Sequence, residues 1–223
     1  MHNNNVIAIK ARQAVFIRNV FLCLLPVLVA GCEKNKENPV AAFYYLTTQK
    51  DLQDIGRVVL IELANDSAYP RVSKDVTDSL YGALQKRQVF GLTVIRPTDA
   101  VWHNLQLDKF SDYSYQQLAD IRKALKADAI LRGTITRYEP FPHLKLGLRL
   151  ELIDLSNAQL LWALEQIWDA ADKATQDKIR NYYKTALFPW SEDLNVDMGS
   201  VSSLKFIDFV TWEVGKTIKP TVK

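Results

Sequence analysis

The chain has 223 residues, enough for one sizeable domain or two small ones, with 28 Lys and Arg against 25 Asp and Glu and a formal charge of +3. Its 48% apolar and 24% charged composition excludes general disorder and supplies material for a packed core. Eight dispersed glycines leave no phosphate-cradling Gly-rich loop, and three histidines with two cysteines leave little for a dedicated zinc site.

The first 31 residues contain Lys10, Arg12 and Arg18 and no acid, followed by an apolar run from Val20 to Ala30. A basic stretch, a short apolar run and then small residues is the layout of a secretory signal peptide. The run falls short of the ~20 residues a membrane-spanning helix needs, and Pro26 inside it argues against a retained helix. Its end, Val29-Ala30-Gly31-Cys32, resembles the lipobox of bacterial lipoproteins: an aliphatic residue, two small ones, then the cysteine that carries lipid. The resemblance implies cleavage before Cys32 and acyl chains on its sulfur, with no other cofactor. Two or three such chains anchor a protein lastingly, where one holds it only marginally. In the lipoprotein sorting scheme, Glu33 at the next position leans toward the outer membrane rather than the inner. Removing residues 1–31 takes away three basic groups and no acid, which leaves 25 of each sign. The mature chain is formally neutral and keeps no cysteine free to pair, since Cys23 goes with the leader.

Residues 33–39 read as a polar tether, and residues 32–56 as a lipidated linker region. Within it, Ala41 to Leu46 is too apolar for a free linker and is expected to dock as an edge strand, on its own domain or on a neighbouring subunit. The domain proper is assigned to residues 57–170. Val58-Val59-Leu60-Ile61 is a continuous aliphatic run, as in a strand buried on both faces. Ala64 to Pro70 reads as a loop, and Ser73 as the N-cap of a helix bearing Val76, Leu80 and Leu84. Phe90 to Ile95 is the next strand, and Tyr115, Leu118, Ile121 and Leu125 mark a second helix with one apolar stripe.

Ala129 to Ile135 is a third strand. Leu144, Leu146, Leu148, Leu150 and Leu152 then alternate with polar residues and glycine, which gives a strand with one buried and one wet face. Ser156 to Gln159 turns it into a hairpin partner over Leu160 to Trp168. Residues 171–223 read as a helical extension. Ile179, Tyr182, Tyr183 and Leu187 form one stripe, and Leu204, Ile207, Val210 and Val214 a second on a helix from Ser202 to Lys216. The order β-α-β-α-β-β-β-α-α predicts an α/β (α+β) domain with helices on a mixed sheet.

This order, with particular residues at its joints, resembles the family of envelope proteins that includes CsgG, the amino-terminal domain of TolB and LpoB. The likeness covers about residues 57–170. It rests on the first strand followed by Asn65, on Lys126-Ala127-Asp128-Ala129-Ile130-Leu131-Arg132-Gly133, and on Leu150 to Asp154 followed by Leu161-Trp162. Two departures stand out. Lys126 occupies a place where the family has glycine, and Asn157-Ala158 stands where a turn glycine is expected. The resemblance implies the fold, and a role through protein contacts, better than it implies any activity.

Chemistry leaves few candidates. There is no G-x-S-x-G elbow, and after cleavage only His103 and His143 remain to join Asp128, Glu139 or Asp154 at a metal. Charges of both signs mix evenly, as at Lys74, Asp75 and Asp78, which excludes a nucleic-acid interface. Trp162 and Trp168 share one strand face, and with Asp169, and with Glu165 and Asp172 nearby, they form a candidate interaction surface able to stack sugars. The competing reading is a core hairpin whose acidic end caps the next helix through Asp169 or Asp172. The sequence therefore predicts a membrane-anchored, non-enzymatic envelope module that binds a protein or its own copy. The alternative is a glycan binder or envelope enzyme built on the tryptophans.

Overall fold

The computed structural model describes residues 43–109, 112–187 and 201–219. The leader, Val29, Ala30, Gly31, Cys32 and the polar tether lie outside the described residues.

The expected mixed sheet is present, with helices on both of its faces. In chain order the strands are β1 (Tyr44–Leu46), β2 (Arg57–Ile61), β3 (Ala64–Asn65), β4 (Gly91–Ile95), β5 (Ala129–Glu139), β6 (Lys145–Asp154) and β7 (Leu160–Asp169). The α-helices are α1 (Val72–Arg87), α2 (Ala100–Asn104), α3 (Tyr115–Leu125), α4 (Lys173–Tyr182) and α5 (Ser203–Thr217). A π-helical turn, Tyr183–Leu187, continues α4. The sheet runs β1-β7-β6-β5-β2-β4, with β3 added beside β5. Strands β4, β2 and β5 are parallel, and β5, β6, β7 and β1 are antiparallel.

Side-chain alternation on these strands sorts the core into two layers. Val58 and Leu60 of β2, the even-numbered leucines of β6, and Trp162 and Leu164 of β7 face α1, α4 and α5. Val59, Ile61, Ile95 and Ile130 face the opposite way, onto Leu118 and Ile121 of α3. That second layer covers the parallel half of the sheet and reaches the Ile153 end of β6, but not the rest of the antiparallel half.

Several joints differ from expectation. Ser73 lies inside α1 rather than capping it. Its hydroxyl donates to the Leu63 carbonyl, and Thr77 one turn on accepts the Leu63 N–H at 3.1 Å. The loop after β2 holds the short strand β3, and Asn65 closes it by accepting the Ser67 N–H at 2.9 Å and donating to the Tyr69 carbonyl at 2.9 Å. Tyr115 and Leu204 do not join their helices' inward stripes: both lie in a first turn and are exposed. The side chain of Leu187 lies outside the described residues.

The boundaries at residues 56 and 171 do not divide the structure. β1 pairs antiparallel with β7, setting Leu46 opposite Trp162. At the other end of the chain, α5 buries Phe206, Phe209, Val210 and Val214, while its Asp208 and Thr211 both bond the Ser79 hydroxyl of α1 at 2.7 Å. Each such buried aromatic or branched side chain stabilises the fold by roughly 1.5–3 kcal/mol. The helical extension is thus one wall of the core.

Both places where the resemblance led to an expected glycine, Lys126 and Ala158, fall on left-handed backbone. Lys126 ends α3 at φ 50°, and Ala158 turns the β6–β7 hairpin at φ 57°. L-residues are disfavoured there because the Cβ crowds the following carbonyl, which is the reason glycine suits these places.

Candidate functional site

The tryptophans cannot serve as an interaction surface. Trp162 is 0% and Trp168 is 1% exposed, and both lie on the β7 face covered by helices. The sequence placed them correctly on one strand face, but that face is the inner one. The Trp162 Nε1–H donates to the Thr217 hydroxyl at 3.1 Å, so the last turn of α5 closes over it. Asp169 is not a free carboxylate either. It accepts the Ala171 N–H at 2.8 Å and pairs with Lys145 at 3.1 Å. Burial opposes its ionisation, but those two partners outweigh burial and hold it below the usual carboxylate range. Asp172 caps α4 by accepting the Thr175 N–H at 2.9 Å, so the core-hairpin reading with an acidic helix cap describes this region.

The metal candidates are dispersed. Asp154 is tied to Lys50 at 2.6 Å and to the Ser156 hydroxyl and N–H, Glu139 to Arg137, and Asp128 accepts the Arg57 N–H at 2.9 Å. Among the described residues no three metal-ligating side chains come together, and His103 and His143 are both exposed.

What the fold leaves accessible is the other face of the antiparallel half. Strand register writes two rows across it. Arg132, Glu151, Ala163 and Tyr45 lie side by side on β5, β6, β7 and β1. Thr134, Arg149 and Glu165 form the next row, and Phe43 completes it where its carbonyl accepts the Glu165 N–H at 3.3 Å. Ile167 sits beyond them opposite Gly147.

The charges in these rows satisfy one another. Arg132 bonds Glu151 through Nε at 3.0 Å and Nη2 at 2.8 Å, and reaches Asp112 at 2.5 Å. Arg149 bonds Glu165 at 2.7 Å, which lowers the Glu165 pKa and raises that of Arg149. Burial works against the Arg132 charge, yet Asp112 and Glu151 raise its pKa overall. A cleft of about 210 Å³ runs between Lys109, Asp112, Arg132 and Arg149. Next to this polar zone the face turns apolar. Phe43 is 72%, Tyr45 50% and Ile167 53% exposed, gathered at the edge where β1 ends the sheet.

Glycines mark tight spots on both sides of this half of the sheet: Gly147 on the open face, and Gly133 on the covered face beside Leu150. A Cβ on Gly133 would sit 2.3 Å from the Arg149 carbonyl oxygen, and one on Gly147 would sit 2.6 Å from the Thr136 hydroxyl. A side chain would therefore require the β6 backbone to shift at Gly133 and the Thr136 side chain to shift at Gly147. The alternation on β6 marks Arg149 and Glu151 as its wet side, but a single strand's pattern does not show that β5, β7 and β1 extend that side into one open face. The aromatic run Phe43-Tyr44-Tyr45, too apolar for a linker, was a second signal.

No family model and no curated protein matches the chain. Among solved structures it is similar to a PelC dodecamer from Paraburkholderia phytofirmans, at 15% identity and TM-score 0.41 over 56% of this chain and 78% of that one. It is similar also to the lipoprotein GNA1162 from Neisseria meningitidis, at 15% identity and TM-score 0.39 over 59% of this chain and 99% of that one. The LpoB C-terminal domain from Escherichia coli gives 17% identity and TM-score 0.36 over 51% of this chain and 82% of that one.

Proposed function

We propose that this protein is a lipid-anchored, non-enzymatic module of the bacterial cell envelope that works through protein contacts. Cys32 carries the lipid after cleavage behind Val29-Ala30-Gly31, and Glu33 favours the outer membrane with the domain facing the periplasm. The observation that carries the contact role is the open sheet face. Its charged groups are paired with one another, so none is poised for proton transfer, while three large apolar side chains beside them remain in water. The domain needs no cofactor beyond the covalent lipid, and its partners are the membrane and an envelope protein or a second copy, with no nucleic acid.

Two measurements test this. Cys32→Ser is expected to release the protein from the membrane fraction or leave an unprocessed precursor, and a variant still lipid-labelled and membrane-bound would overturn the anchor. A photo-crosslinker at Ile167 is expected to give a discrete protein adduct in intact membranes, whereas one at Ser67, in the β3 loop, gives none. Adducts equal at both positions, or absent at both, would sink the contact role.

A further inference from the structure

The outer edge of β1 is unusual for a sheet boundary. Its odd-numbered residues direct their backbone at β7: Thr47 N–H donates to the Leu161 carbonyl at 2.9 Å, and the Phe43 carbonyl accepts from Glu165 at 3.3 Å. Strand geometry then turns the N–H and C=O groups of Tyr44 and Leu46 outward, and among the described residues β1 pairs with β7 alone. Sheet edges are ordinarily blunted by lysine, proline or a bulge. Here Phe43-Tyr44-Tyr45-Leu46 has none of these, and the first flanking charge downstream is Lys50.

We propose that β1 pairs antiparallel with β1 of a second copy of this chain, about a two-fold axis that sets Tyr45 opposite Tyr45. The absence of charge selects a second copy over another partner. A two-fold lays a strand against itself, so charges near its centre meet like charges, and β1 carries none. Outward groups on Tyr44 and Leu46 fit the same register, since Tyr44 of one copy meets Leu46 of the other and four backbone hydrogen bonds form. Rotation about the sheet normal keeps faces together. The two open faces then become one surface, with the Tyr45 rings adjacent at its middle. A contact of three residues is small for a stable dimer in solution. It gains from confinement, because the eleven residues from Cys32 to Phe43 reach at most about 40 Å and hold both copies at one membrane surface. In that respect the proposal rests on the lipid-anchored reading.

The test uses the full, processed chain in phospholipid vesicles, with donor and acceptor fluorophores fused at the C-terminus. Wild-type protein is expected to show energy transfer. Tyr45→Lys and Tyr45→Asp are each expected to weaken association about tenfold, and their equimolar mixture to restore it, because only then do opposite charges face each other. Tyr44→Pro removes an outward N–H without touching the β7 ladder, so it is expected to abolish transfer while its melting temperature stays near that of wild type. Wild-type protein without transfer, charge variants that associate like wild type, or a mixture that does not recover would each overturn the pairing. If the pairing fails while Cys32→Ser still detaches the protein, the lipid-anchored reading survives alone. If the pairing holds and Cys32→Ser changes nothing, the reverse is true.

Discussion

The two halves of the sheet are built from similar residues and end in opposite circumstances. In the parallel half, Val58, Val59, Leu60 and Ile61 are all buried, because helices lie on both faces. In the antiparallel half, Leu146, Leu148, Leu150 and Leu152 are buried while Arg149 on the same strand is in water. Crossover connections between parallel strands bring helices to cover them; hairpins bring none. An exposed face is therefore left where the chain turns back on itself, and there outward side chains such as Arg149 and Ile167 lie apart from the core.

The sharpest way to break this contrast is to truncate one residue on each side of β7. Trp162→Ala is expected to cost about 3–5 kcal/mol in thermal or denaturant unfolding, through a cavity beneath α5. Ile167→Ala, on the same strand, is expected to stay within about 0.5 kcal/mol. Equal costs would mean that the open face is covered after all.

A second variant probes how closely the halves are joined. Gly133→Ala in β5 puts a methyl group against the Arg149 carbonyl and is expected to lose about 1–3 kcal/mol, because backbone rather than a flexible side chain must move. A circular dichroism melt that does not change would refute the close approach.

The third concerns the end of the hairpin strand β6, where the buried Asp154 carboxylate meets Lys50. Burial raises its pKa, but the Lys50 ammonium and the Ser156 hydroxyl and N–H lower it further, for a net decrease. A carboxyl with a folded-state pKa below its unfolded value stabilises the protein above about pH 3.9, and that contribution disappears as pH falls through the folded-state pKa. Asp154→Asn is expected to cost about 1–3 kcal/mol at pH 7 and to converge with wild type in acid. A constant difference across that range would rule out ionisation as its source.

The smallest effects are expected at the two left-handed joints. Lys126→Gly precedes β5, which the two halves share, and Ala158→Gly turns the hairpin. Each is expected to stabilise by about 0.5–1 kcal/mol, since the Cβ that strains these positions is removed. Any destabilisation at Ala158 would show that its methyl group, which packs on the Ile153 side of the sheet, outweighs the strain.

Particular residues show how much of this was legible beforehand. The run at Val58 and the alternation at Leu144 to Leu152 gave β2 and β6 directly, since burial on two faces or one is written into local periodicity. The hairpin turn at Ser156 to Gln159 was equally local. The five-residue helix α2 was not visible, because it is too short to show a period, and β3 is two residues in a segment rich in turn formers. Of the two readings of Trp162 and Trp168, the core hairpin with an acidic cap matches the structure, and contacts across the chain are what decide against the surface reading. The tail looked separate because nothing near residue 203 records that α5 will lie on α1 and seal β7. Docking of distant elements decides what covers each face, and no short window of sequence contains it.

Trp162 lies between the first described strand and the last described helix, with Leu46 set opposite it in the sheet and Thr217 accepting its indole proton. Its neighbourhood is therefore completed by residues far before and far after it in sequence. While the polypeptide is being made, that indole has no lid until Thr217 has emerged. A chain ended by a premature stop before α5 would leave the Trp162 indole without its Thr217 partner and the Ser79 side of α1 uncovered, a ready target for quality-control proteases. Closure of the core around Trp162 therefore waits for synthesis of α5, and chains stopped before it identify themselves.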